Sequence, residues 1–183
     1  MNRENLRDFA IQAQALIDEG AVEDRIRHYL SSRLLSIFPD YPWWLQAHMQ
    51  GTEEHVHFSS TRGNRDGFVD AVVGKTAIEY EKNLTIQGIF SEGYHQVKEY
   101  SAALCNIGIP ESEVLSVLSD TVRWYGYKVR IVSEPAEGRL LGPDDVELEQ
   151  IMFVDLSVGT DEEFSRFEQF INCLLYTSPS PRD

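Results

Sequence analysis

The sequence predicts an α/β fold, a small mixed sheet flanked by helices. Three observations predict it. Apolar residues recur at helical spacing before residue 40 and again after 158; β-rich runs fill most of the stretch between; and one helical segment interrupts those runs.

Leu6, Phe9, Ala10, Ala13, Leu16 and Ile17 recur at helical spacing and stop at Gly20, a residue suited to the left-handed position after a helix. Residues 1–20 therefore read as an N-terminal amphipathic helix. Ile26, Leu30, Leu34 and Ile37 make a second stripe from about Ala21, ended by "FPDYP", where two prolines forbid continuation. "HVHF" reads as a short strand and the polar "SSTRGNRDG" after it as a loop. A hairpin follows, then a helix from about Ser91 to Cys105 that ends near Gly108 and Pro110. "EVLSVLSD" and "TVRWYGYKVRIV" are β-rich runs around a turn at Ser119 and Asp120, and "VELEQIMFVDLS" is a further strand. "DEEFSRFEQFIN" opens a last helix with Thr160 as its N-cap. Its stripe of Phe164, Phe167, Phe170 and Ile171 is expected to lack a full partner.

The hairpin, "GFVDAVVGKTAIEYEKNL", plants three carboxylates among apolar residues. With Gly74 and Lys75 as a two-residue loop, Val73 pairs with Thr76 and Asp70 falls directly opposite Glu79. Strand alternation then puts Phe68, Asp70 and Val72 on one side with Ala77, Glu79 and Glu81, and sends Tyr80 and Lys82 to the other. Like charges opposite one another destabilise a ladder. The cluster needs a compensating cation, raised pKa values or water. A hard divalent ion, which takes one or two carboxylates plus water and substrate phosphate, answers the first need. A solvated edge hairpin whose acids keep it soluble answers the last.

An acid in one strand, a hairpin turn, an acid two residues before another charged residue in the next strand, and then a helix carrying "QVKEY" together resemble the PD-(D/E)xK nuclease superfamily. The likeness is closest to N-terminal nuclease domains of restriction and restriction-modification proteins, and it covers roughly Ala21 to Val132. It implies a restriction-endonuclease-like mixed sheet flanked by helices, Mg²⁺ or Mn²⁺ as cofactor, and DNA as substrate. Asp70 falls at the aspartate of the motif, Glu79 at the acidic position, and Glu81 where lysine is most usual. Asp70 and Glu79 are thereby implied metal ligands. Glu81 is an auxiliary ligand or the acceptor of a proton from the attacking water, and this departure leaves the general base unassigned. Gln96 and Tyr100 match a Gln-x-x-x-Tyr element on the following helix. Lys82 is a substitute cation that alternation sends to the opposite face. Glu23 lies in line with Ile26, Leu30 and Leu34, where the family often places an acid beside the metal; favourable helix-dipole placement is the simpler reading.

Other residues carry less weight. Arg62 and Arg65 are expected in a glycine-rich loop, able to grip phosphate or merely solvated; His55 and His57 alternate onto one strand face without a third ligand at suitable spacing; Trp43 and Trp44 read as packing.

Charge and length bound the function. Sixteen basic residues stand against 30 acidic ones, a formal net charge of −14, so generic electrostatic binding of nucleic acid is excluded and any DNA contact must be local or metal-assisted. The 183 residues contain no run long enough to cross a membrane, and "MNRENLRDFA" has no export signal, so a cytoplasmic location is expected. "CLLYTSPSPRD", Cys173 to Asp183, resembles a translated sequencing adaptor, with a natural Ser/Pro-rich tail as the alternative. The expected organisation is a helix over 1–20, a nuclease-like domain over 21–157, the start of a truncated helical connector over 158–172, and adaptor-derived residues 173–183. The resemblance further implies a downstream methyltransferase or target-recognition domain. The competing expectation is a non-catalytic nuclease-like module that binds DNA or protein.

Overall fold

The structure is a computed structural model of the 183-residue chain and describes residues 1–39, 54–60, 63–73 and 75–176. Trp43, Trp44, Arg62 and Gly74, and the side chains of His55, His57 and Arg65, lie outside the described part. Two helices come first, α1 (Arg3–Asp18) and α2 (Glu23–Ile37). Strands β1 (Glu54–Ser60), β2 (Gly63–Val69), β3 (Ala71–Val73) and β4 (Thr76–Tyr80) precede the long helix α3 (Gln87–Asn106). Then come β5 (Leu115–Ser119), β6 (Arg123–Ile131), β7 (Val146–Asp155) and the last helix, α4 (Asp161–Tyr176).

The main sheet has the order β3-β4-β5-β6-β7 and is mixed: β4 runs parallel to β5, and the other neighbours are antiparallel. The parallel pair requires a crossover, which α3 supplies. Because β4 has a strand on each side and helices on both faces, all five of its residues are buried. Alternation sorts them. Ile78 and Tyr80 join Leu6, Phe9, Ile26, Leu30, Trp124 and Phe167 in the larger core. Ala77 faces the other way, to Tyr100, Leu104 and Val129. A fold with helices on both faces of a mixed sheet is thus present.

Local chemistry sets the boundaries. At the end of α1 the Gly20 N–H reaches the Ile17 carbonyl and the Ala21 N–H that of Leu16, with Gly20 at φ +73°; Gly108 closes α3 with the same pair of bonds. Both satisfy carbonyls that a helix end leaves open. Thr160 Oγ1 accepts from the Glu163 N–H, the cap expected for α4.

Several expectations are corrected. Most of "SSTRGNRDG" is strand rather than loop: Ser59 and Ser60 end β1, and residues 63–67 belong to β2, which pairs antiparallel with β1 from Ser60↔Gly63 to Glu54↔Val69. Backbone pairing overrides a polar, glycine-rich composition. Helix α3 begins at Gln87 rather than Ser91. Phe164, Phe167, Phe170 and Ile171 do not lack a partner; all four are buried against Phe38, Trp124 and Val154 in the larger core. The segment from Gly67 is not one continuous arm of a hairpin either. It leaves the two-stranded sheet at Val69, bends at Asp70, and enters the main sheet at Ala71. No helix among the described residues is long and apolar enough to cross a membrane.

Candidate functional site

The hairpin register is the expected one through Val73↔Thr76, Val72↔Ala77 and Ala71↔Ile78. Asp70 is not paired with Glu79, because it is the bend between the sheets and its side chain does ladder work instead. Its Oδ2 accepts the Tyr80 N–H at 2.9 Å and its Oδ1 accepts Arg27 Nη1 at 2.5 Å. The carboxylate thereby ties the end of β4 to α2.

Glu79 points to the α3 side of the sheet and is 6% exposed. Its Oε2 is buried without a hydrogen-bond partner, a costly state for a carboxyl group. Burial, followed by the fields of Asp70, Glu23 and Glu81, pushes its pKa from 4.5 up to about 10. Glu81, just beyond β4, is held by its N–H on the Ser119 carbonyl at 2.8 Å. Burial, then Glu23, Glu92 and Asp70, raise its carboxyl to about 7. Glu23, in the first turn of α2, is likewise raised to about 7 by burial, Asp70 and Asp24.

Four carboxyl groups drawn from α2, the β2–β3 bend and the end of β4 therefore share one neighbourhood. Glu23 belongs to it as a half-buried member, which helix-dipole placement alone does not explain. Tyr100 is 5% exposed; burial, then Glu79 and Asp70, raise the pKa of its hydroxyl, and Gln96 stands one turn earlier on the same helix. Lys82 is exposed, and its charge offsets those of both Glu23 and Glu81, so it belongs to the rim of the site. Strand alternation does not send it away, because regular strand ends at Tyr80.

Three residues that sequence reasoning missed complete the arrangement. Arg27 lies one turn after Glu23 on the same helix face and counters the charge on Glu79 and Glu23 as well as Asp70; the i,i+4 spacing was its signal. Gly93 lets α3 approach β4, since a Cβ there would lie 2.8 Å from Glu81 Cγ. A glycine inside a helix was the signal for a close approach. Asp120, fully buried in the β5–β6 turn, accepts the N–H groups of Val122 and Arg123 on Oδ1, and that of Leu84 together with Arg123 Nη1 on Oδ2. It thus anchors the chain just after Glu81 and holds Thr121 at φ +73°, a costly value for a β-branched residue.

The donor set fits a hard divalent cation. It offers only carboxylate oxygens, one of them orphaned and buried. No group of three or more His, Cys, Asp or Glu side chains among the described residues is close enough to form a ready metal cage. A hard ion such as Mg²⁺ needs only one or two carboxylates, with water and substrate completing its shell. Comparison with known proteins finds no match: no family model, no curated protein and no solved structure corresponds to this chain.

Proposed function

We propose that this chain is a metal-dependent deoxyribonuclease that hydrolyses phosphodiester bonds in DNA. The observation that carries the reading is the orphaned Oε2 of Glu79, buried at the centre of four mutually repelling carboxyl groups. A binding surface gains nothing from such repulsion. A cation site gains its ligands from it.

Asp70 and Glu79 would hold Mg²⁺ or Mn²⁺, with Glu81 and Glu23 beside them. The ion would supply positive charge against the scissile phosphate and acidify the attacking water. The remaining work falls to the chain itself. The Tyr80 N–H fixes the orientation of Asp70. Glu81, half-buried beside the cluster, is placed to take a proton from water. Gln96 and Tyr100 lie one turn apart on α3, suited to orient a phosphate or a carboxylate of the cluster. Lys82 on the rim offers the exposed positive charge that an otherwise acidic chain needs for a local DNA contact.

A second reading, a non-catalytic nuclease-like module, is favoured by one observation: Arg27 already neutralises Asp70, as a cation would. Nicking of supercoiled plasmid separates the two. The nuclease reading expects nicking that requires Mg²⁺ or Mn²⁺ and stops with EDTA; DNA retention without nicking at any metal concentration supports the module instead.

A further inference from the structure

Arg27 bridges two carboxylates of very different exposure. Its Nη1 meets Asp70 at 2.5 Å, where the Asp70 side chain is 13% exposed, and its Nη2 meets Asp24 at 3.2 Å, where the Asp24 side chain is 84% exposed. The guanidinium itself is 17% exposed. It therefore reaches from the interior of the acidic cluster to its mouth, with an alternative carboxylate waiting at the outer end.

We propose that Arg27 is the built-in counter-ion of this cluster, exchanging with a divalent cation at Asp70: the ion enters as the guanidinium swings out toward Asp24. This inference rests on the reading of the cluster as a metal site. Two cations cannot share Oδ1 of one carboxylate at contact distance without strong mutual repulsion in a half-buried pocket. The Tyr80 N–H holds the other oxygen and leaves with neither. Arg27 thus supplies positive charge beside Asp70 and counters the charge on Glu79 and Glu23. The guanidinium released at the mouth is a planar fork matched to a phosphate oxygen pair, so entry of the ion would also expose a group that grips the substrate backbone.

The experiment is calorimetric titration of Mg²⁺ and Mn²⁺ into the full chain and into Arg27→Gln and Arg27→Lys. Removing the competitor should tighten metal binding by roughly ten- to a hundredfold, the worth of one hydrogen bond to a charged group. Arg27→Lys keeps the charge and should stay within a fewfold of wild type. In the wild-type chain, the Arg27 Nε–H resonance should shift and exchange faster with solvent as Mg²⁺ is added, a readout that remains if Arg27→Gln does not fold. Equal or weaker binding by Arg27→Gln, or an Arg27 resonance unmoved at saturating Mg²⁺, overturns the exchange while leaving the metal site standing. No metal binding by wild type or any variant overturns both the site and the exchange.

Discussion

Gly93 of α3 stands against Glu81. A Cβ at position 93 would lie 2.8 Å from Glu81 Cγ and 3.0 Å from its Oε1, and 2.7 Å from Leu118 Cδ1. The helix accepts an unfavourable residue so that the carboxyl can sit beneath it.

Gly93→Ala tests that relationship. Alanine improves helix propensity by about 1 kcal/mol, but overpacking against the fully buried Leu118 costs about 1–3 kcal/mol. The expected net effect is a loss of about 1 kcal/mol, read by urea unfolding. Glu81, pushed toward water, should titrate closer to an ordinary glutamate in a ¹³C carboxyl NMR titration. A more stable variant in which Glu81 still titrates near 7 would show that the helix has room to spare.

The raised carboxyls make a signed statement about pH. Glu23 and Glu81 near 7 and Glu79 near 10 bind protons more tightly folded than unfolded, where their pKa values are near 4.5. Their contribution to stability is complete below the unfolded value and is lost as pH rises through the folded values. In metal-free buffer the melting temperature should therefore fall steadily from about pH 5 to pH 8. Glu79→Gln should flatten the fall and melt higher than wild type at pH 8. A melting temperature that rises across this range, or a variant curve parallel to wild type, would contradict the convergence of these groups.

Much of this was legible in sequence, and the misses share causes. The stripes through Leu6 to Ile17 and Ile26 to Ile37 declared α1 and α2, and the Val73–Thr76 turn gave the hairpin its register. Those signals are local. Asp70 was misplaced because alternation assumes a continuous strand, whereas the chain changes sheets there. Burial of Glu79 was not legible either, since it follows from β5 pairing in parallel through Glu79↔Leu118 across 39 residues of sequence. The i,i+4 spacing from Glu23 could have drawn attention to Arg27, but only its ion pair to Asp70, 43 positions away, gives it a place in the site.

On the proposed nuclease reading, Glu81 is the candidate for the general base that the resemblance leaves unassigned. Glu81→Ala should lower the cleavage rate by something like 10²–10⁴, the usual worth of a positioned general base, with metal affinity little changed. Glu81→Lys restores the residue commoner in the resembled family. Partial activity would mean that Glu81 stands in the lysine's role; loss of cleavage together with weaker metal binding would make it a ligand. Full activity in Glu81→Ala would remove it from the mechanism.

On the proposed reading, Asp70 and Glu79 mark the place where DNA is cut. The most direct measurement is nicking of supercoiled plasmid, with Mg²⁺ or Mn²⁺ present, by wild type and by Asp70→Asn/Glu79→Gln, whose folding is confirmed by circular dichroism. The substitutions keep side-chain volume, and Asp70→Asn keeps an oxygen to accept the Tyr80 N–H, so the fold should survive while cleavage drops to background. Metal-dependent cleavage that continues undiminished in the double variant would place the active site elsewhere.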